Sequence, residues 1–225
     1  MHRYEMISDK DRIAVGLSGG KDSLALMWIL KERQSRIPIN YDLFAIYIDL
    51  GFKGGFTEQL KTYCTQNGFK LIVEHTDYGI MAHSAENREN PCFLCSRLRR
   101  KRLFEIADDL GCNKLALGHN KDDIIETLFL NMCYAGQIST MVPSQSFFQG
   151  NFTVIRPLAF TDENIISRFA SDKGFPSFVN PCPSEKISKR QEIKSFLSQL
   201  YSSNKKIKGN IFRAMSNVNI DYLLK

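Results

Sequence analysis

No apolar run in these 225 residues is long enough to cross a membrane, and Met1-His2-Arg3-Tyr4-Glu5 lacks the apolar stretch of a secretory leader. A cytoplasmic protein with no membrane partner is expected. There are no internal repeats and no low-complexity tract, which excludes solenoids and disordered linkers. The charge excess is small: a formal +6 suits a polyanionic partner without naming one. Six cysteines are present, and in a reducing cytosol they exclude a disulfide framework. Three of them, Cys64, Cys112 and Cys133, fall in helical patterns and are expected as buried, inert thiols. What remains is a 43% hydrophobic, 24% charged chain that can bury one full core with a small appendage.

Ser18-Gly19-Gly20-Lys21-Asp22-Ser23 stands between an apolar strand pattern at 12–17 and an apolar helix pattern from 21. Strand, glycine turn and helix together make an anion site. The glycines let a ligand reach backbone N–H groups at a helix N-terminus, whose dipole favours negative charge. Lys21 adds a cation, and the Ser18 and Ser23 hydroxyls add donors. The loop is too short for G-x-x-x-x-G-K-[ST] and lacks G-x-G-x-x-G.

Strand patterns recur at 12–17, 43–48, 70–74, 114–117 and, more weakly, 153–155. Helix patterns cover 21–34, 56–67, 96–110, 121–134, 161–173, 186–201 and 209–218, while 77–91 and 136–152 read as loops. The alternation predicts an α/β fold with a doubly wound, Rossmann-like parallel sheet over residues 1–160 and a helical extension over 161–225. Ligands of such sheets bind beyond the carboxyl ends of the strands. The loop at 18–23, Asp49 and Gly118-His119-Asn120 should then face one crevice.

Cys92 and Cys95 form a C-x-x-C at a helix start, and Cys182 lies between Pro181 and Pro183 in a loop. Three thiols leave a tetrahedral zinc site one ligand short, to be completed by His75, His83 or His119. They also suit a [4Fe–4S] cluster with one open iron. Arg97, Arg99, Arg100, Lys101 and Arg102 follow directly, five cations in six positions. They read either as a solvated salt-laced helix or as a nucleic-acid surface that would also favour thiolate at the cysteines. Asp122, Asp123 and Glu126 cluster at another helix start, where they meet the helix dipole or hold Mg²⁺ against phosphate. Arg156 ends the weak strand and is read as a phosphate clamp or a carboxylate partner.

The motif at 18–23 resembles the PP-loop of the ATP pyrophosphatases. Taken with Cys92–Cys95, Ser96-Arg97-Leu98-Arg99-Arg100, Gly118–Thr127, Arg156-Pro157-Leu158 and the Cys182 region, the chain is similar to the tRNA 2-thiocytidine biosynthesis family from about residue 10 to 218. The resemblance implies ATP bound by Ser18, Gly19, Gly20, Lys21, Asp22, Ser23, Asp49, Gly118, His119 and Arg156. It implies catalysis by Lys21, Asp22, Asp122 and Asp123 with Mg²⁺, and a [4Fe–4S] cluster on Cys92, Cys95 and Cys182. The partners it implies are tRNA and a sulfur donor, either a cysteine desulfurase or inorganic sulfide; a homodimer is left open. The implied reaction exchanges the 2-oxo group of a cytidine for sulfur. A 2-thiouridine synthetase and a zinc-stabilised RNA-binding module are the competing readings. Val179 and Pro183 depart from the family pattern, which often has a second C-x-x-C there, so Cys182 stands alone.

Overall fold

A computed structural model describes residues 1–184 and 188–223. Its strands are β1 (Asp11–Leu17), β2 (Tyr41–Asp49), β3 (Leu71–His75), β4 (Lys114–Leu117), β5 (Ser144–Phe147) and β6 (Phe152–Ile155). They form one sheet in the order β3-β2-β1-β4-β6-β5, parallel throughout except for the β5–β6 pair. Between them run α1 (Lys21–Gln34), α2 (Thr57–Gln66), α3 (Tyr78–Ala82), α4 (Pro91–Asp109) and α5 (Lys121–Leu130). The chain closes with α6 (Glu163–Asp172), α7 (Lys189–Ser203) and α8 (Ile207–Ala214).

Period-two alternation in β1 divides the core. Ile13, Val15 and Leu17 face one layer with Leu24 and Met27 of α1, Leu60 of α2 and Ile166 of α6. Ala14 faces the other layer with Ile106 and Ala107 of α4. A smaller cluster, Ile125, Ile193 and Leu197, joins α5 to α7. Strand order reverses between β1 and β4, so the loops after these two strands open the crevice where α/β sheets bind ligands.

The predicted parallel strands and flanking helices are all present; the last helix lies at Ile207–Ala214 instead of 209–218, and there are four larger differences. The stretch at 136–152, read as a loop, holds the antiparallel edge strand β5; its Ser-Gln-Ser-Phe sequence carries no apolar alternation, and pairing with β6 makes it a strand. The stretch at 77–91 holds the short α3. Helix α4 begins at Pro91, not 96, because Asn90 caps it and Pro91 suits its first position. The helix predicted to 134 is α-helical only to Leu130 and widens into a π-turn over Asn131–Ala135, which leaves Cys133 exposed rather than buried. The start predicted at 186 for α7 lies outside the described residues.

At the amino-terminal edge of the sheet, where β1 and β4 begin, Asp11 gathers three donors: Lys114 Nζ at 2.6 Å, Asn113 Nδ2 at 2.7 Å and the Ser8 N–H at 2.6 Å. Both members of the ion pair are buried, so losing one leaves an uncompensated charge. Asp11→Ala is expected to cost about 3–5 kcal/mol, a melting-point drop of roughly 10 °C for a chain of this size. Thermal unfolding followed by circular dichroism checks this, and a drop under about 2 °C would refute it.

Candidate active site

The turn after β1 owes its shape to two close approaches. Gly19 has φ +80°, and a Cβ there would stand 2.4 Å from the Phe56 ring. A Cβ on Gly118 would stand 3.0 Å from the backbone of Asp22 and Ser23, so the loop after β4 presses directly on the start of α1. Gly20, the N-cap of α1, offers no capping side chain. The Lys21 and Asp22 N–H groups therefore remain available to a ligand, while the Ser23 N–H donates to the Gly20 carbonyl at 3.1 Å. Ser23 Oγ braces the turn by accepting from the Ser18 N–H at 3.1 Å and donating to the Gly20 carbonyl at 2.9 Å.

Two adjoining cavities open from this turn. One, of about 290 Å³, is bounded by Ser18, Gly19, Gly20, Asp49, Phe56 and Phe178. The other, about 240 Å³, has Asp22, Ser23, Leu103, Gly118, His119 and Asp123 in its wall. Ser18, Ile48 and Arg99 belong to both. The three loops expected to share a crevice do share it. Burial alone would raise the Asp49 pKa, but the Thr57 hydroxyl at 2.6 Å, the Gly51 N–H at 3.0 Å and His75 hold it below the ordinary carboxylate range.

The cysteine pair lies on the first turn of α4, whose N–H groups at Cys92 and Phe93 donate to Asn90 Oδ1 at 3.0 and 3.3 Å. Cys182 is carried back to it by the segment after α6. Phe178 stacks on Phe56 at 4.8 Å, Asn180 Oδ1 accepts from the Cys182 N–H at 3.1 Å, and Ser184 Oγ meets His83 Nε2 at 2.7 Å. Cys182 and Cys92 lie near enough to Cys95 for their charges to raise its pKa. Burial is the larger cause, and it outweighs the opposing Arg99, so the thiolate character expected from the basic helix is not found at Cys95. Cys92 and Cys182, both within electrostatic range of Cys95, suit with it an iron–sulfur cluster by donor chemistry. Among the described residues, no three Cys, His, Asp or Glu side chains are grouped closely enough to hold a single metal ion. Nor do the histidines complete a zinc site: His83 uses both ring nitrogens in hydrogen bonds, His75 pairs with Asp49 at 3.3 Å, and His119 lines the second cavity, whose wall holds no cysteine among the described residues.

The basic helix divides. Arg97 pairs with Glu89 at 2.9 Å, Arg102 with Glu74 at 2.9 Å and Glu105 at 3.0 Å, and Lys101 with Glu105 at 3.7 Å. These three form the salt-laced face. Arg99 instead turns into both cavities, and Arg100 lies close enough to His119 and Arg156 to lower both their pKa values.

The acidic loop divides too. Asn120 and Asp123 form a reciprocal capping box at the start of α5. Asp122 does not reach the crevice as a free carboxylate: Lys208 holds it at 2.6 Å, and it accepts from the Glu163 N–H at 2.8 Å. Asp22 accepts from Asn120 Nδ2 at 3.1 Å and Lys21 Nζ at 3.4 Å. Asp123 faces the second cavity; burial raises its pKa, and the Asp22 and Glu163 charges add to that against the opposing Asn120 N–H and Arg190. Lys21 pairs with Glu163 at 2.9 Å, and Glu163 pairs in turn with Lys194 of α7 at 2.9 Å. Arg190 reaches Glu126 at 3.0 Å and Asp123 at 3.4 Å.

Three buried polar atoms have no partner within the described chain: Arg99 Nε, His119 Nδ1 and Arg156 Nε. Among the described residues the Arg156 guanidinium donates only to the Val142 carbonyl, at 2.7 Å, and burial and Arg100 lower its pKa to about 10. His119 is pushed down to about 3 by burial, then by Arg156, Arg190 and Arg100. The crevice wall thus sets one cation, Arg99, and a neutral imidazole beside the carboxylates of Asp49, Asp22 and Asp123, and the unpartnered nitrogens of Arg99, His119 and Arg156 are donors or acceptors that a ligand would satisfy. Sequence reasoning missed Phe56, Phe178, Glu163 and Arg190, whose types carry no motif signal. The Asn90-Pro91 cap was readable.

A family model described as "PP-loop domain" (ATP_bind_3) matches residues 2–200. The chain is similar to tRNA-cytidine(32) 2-sulfurtransferase of Geobacter sulfurreducens, 39% identical over 98% of this chain and 87% of that one. The enzyme of the same name from Syntrophotalea carbinolica is 39% identical over 98% and 86%. Among solved structures, the U34-tRNA thiolase NcsA from Methanococcus maripaludis with its [4Fe-4S] cluster superposes with a TM-score of 0.79 at 26% identity. That match covers 98% of this chain and 75% of that one.

The depressed pKa of His119 has a consequence for stability. A histidine that stays neutral when folded but protonates near its ordinary 6.5 when unfolded favours the unfolded state as pH falls from about 6.5 towards 3. Its contribution is complete above pH 6.5 and lost on descent, by at most about 1.4 kcal/mol per pH unit. His119→Asn is expected to flatten this acid limb. Urea unfolding of both proteins at pH 7 and pH 5 checks it, and parallel losses would sink the assignment.

Proposed function

The chain belongs to the PP-loop domain family, and on that footing we propose that it is an ATP-dependent tRNA 2-sulfurtransferase whose target is cytidine, the nucleoside named for its relatives. The observation that carries this reading is the meeting of two chemistries at Arg99. Arg99 lines both cavities at the Ser18–Ser23 cradle and its charge acts on Cys95, which Cys92 and Cys182 also influence, while Asn180 and Pro181, next to Cys182, line the first cavity. A cradle alone suits any nucleotide enzyme, and thiols alone suit a structural site. Adjacent, they suit activation of a base followed by delivery of sulfur.

In the proposed reaction the 2-oxo oxygen attacks the α-phosphorus of ATP and pyrophosphate leaves. Sulfide then displaces AMP at C2, so one oxygen departs in AMP as one sulfur enters the ring. The N–H groups at the start of α1, with the Ser18 hydroxyl and Lys21, hold the diphosphate, and Ser23 braces the turn that presents them. Asp49, at the end of β2, bounds the cavity that would receive the nucleoside of ATP. Arg99 and Arg156 face the phosphoryl charge that develops, and in a buried site such preorganised cations act strongly. Asp22 and Asp123 would hold Mg²⁺, whose charge would relieve their mutual repulsion; Asp122 is engaged by Lys208 and takes a positioning role instead. Cys92, Cys95 and Cys182 would hold a [4Fe–4S] cluster, which when bound supplies one iron free of protein ligands as a site for sulfide.

On this reading residues 1–160 form the ATP domain, and 161–225 a helical extension that contributes Cys182. The place of work is the cytoplasm, with a cysteine desulfurase or inorganic sulfide as donor.

Nucleoside mass spectrometry of tRNA from cells lacking the protein tests the assignment: 2-thiocytidine should vanish, and an unchanged thionucleoside profile would refute it. In vitro, Lys21→Ala is expected to slow both tRNA-stimulated pyrophosphate release and thiolation about a hundredfold. Cys95→Ala should abolish thiolation and iron binding while pyrophosphate release continues. Stoichiometric zinc in place of iron after anaerobic preparation would overturn the cluster.

A further inference from the structure

The excess charge of the chain is confined to one end. Residues 1–187 carry twenty-two Lys and Arg against twenty-two Asp and Glu, whereas residues 188–225 carry eight against two. The structure separates those late cations by what they touch. Lys194 and Lys208 point inward, to Glu163 and to Asp122 and Asp162, and Arg190 reaches Glu126. Lys205 and Lys206 in the turn between α7 and α8, and Arg213 in the last turn of α8, are exposed and have no carboxylate partner among the described residues.

Helical spacing puts these charges on one face. Lys206, Asn210 and Arg213 fall within about 60° of one another around α8, and the two cations are separated by two turns, roughly 10 Å along the axis. Lys208 and Phe212 fall on the opposite side. That inner side anchors the helix: Lys208 meets Asp162 at 2.7 Å, and Phe212 meets the Phe160 ring edge-on at 5.6 Å. Because Lys208 also holds Asp122, the neighbour of Asp123 in the cavity wall, the outer face of α8 is fixed relative to the crevice. By contrast, Arg97, Lys101 and Arg102 of the basic helix are already neutralised by Glu89, Glu105 and Glu74.

We infer that the α7–α8 turn and the outer face of α8, through Lys205, Lys206 and Arg213, dock the phosphate backbone of the RNA substrate beside the crevice. Unpaired, solvated lysine and arginine side chains at about a 10 Å spacing give the sequence-independent phosphate contacts that position a nucleic acid. Asn210, exposed between the two charges, supplies a neutral donor on the same face. This inference rests on the sulfurtransferase reading for the identity of the RNA, but its observations are the charges themselves.

The test compares the full chain with a triple variant, Lys205→Glu, Lys206→Glu, Arg213→Glu, and with an Arg97→Glu, Lys101→Glu variant of α4. Filter binding of unmodified tRNA is measured from 50 to 200 mM salt, alongside ATP binding and melting temperature. The triple variant should keep its melting temperature and ATP affinity, weaken tRNA binding by about tenfold or more, and lower the slope of log affinity against log salt by about 2 to 3. The α4 variant should change affinity less than about threefold. Wild-type tRNA binding with an unchanged triple variant, or a larger loss in the α4 variant, overturns the surface alone. A wild-type chain that binds no tRNA overturns the sulfurtransferase reading together with it. Loss of binding to phosphatidylglycerol vesicles with tRNA binding intact would reassign the face to a lipid and refute the proposal.

Discussion

The crevice depends on the contact between Gly118 and the start of α1. With no side chain on Gly118, the loop after β4 comes within van der Waals reach of the Asp22 and Ser23 backbone. That approach brings Asn120 to Asp22 and sets His119 and Asp123 in the wall of the same cavity. The strand order creates a crevice at this point in any fold of the type. The missing Cβ decides how tightly its two lips close, and hence which groups from β1 and β4 can act on one ligand.

The second requirement is the return of the chain after α6. Phe178 against Phe56 and Ser184 against His83 hold this segment over the first cavity. Cys182 thereby arrives at a pair of cysteines far earlier in the sequence. The proline on each side of it bars a helix, and Asn180 closes the turn that presents it. The third thiol owes its place to packing at its flanks and to no motif of its own.

Much of this was legible beforehand because it is encoded locally. The β1–loop–α1 unit, the parallel strands and the shared crevice follow from apolar periodicity and glycine placement. The cysteine pair and the acidic start of α5 likewise belong to short stretches of sequence. What escaped was set by partners distant in sequence. The run from Arg97 to Arg102 reads as one basic surface, yet Glu74, Glu89 and Glu105 neutralise three of its cations while Arg99 turns inward. Asp122 and Asp123 are adjacent in the chain and differ entirely in role, because Lys208 comes from a helix more than eighty residues later. Strand β5 has no apolar alternation and exists only because β6 pairs with it. Cys133 lies in a helical pattern, but the π-turn swings it out to solvent.

Glu163 sits between two lysines, one in the phosphate loop and one on α7. Any anion that draws Lys21 away leaves Glu163 to Lys194 alone, strengthening the hold of α7 on the rest of the molecule. Reciprocity then requires that whatever tightens α7 against Glu163 also frees Lys21 for the anion. The two ends of the chain are therefore thermodynamically linked through a single carboxylate, with no moving domain required.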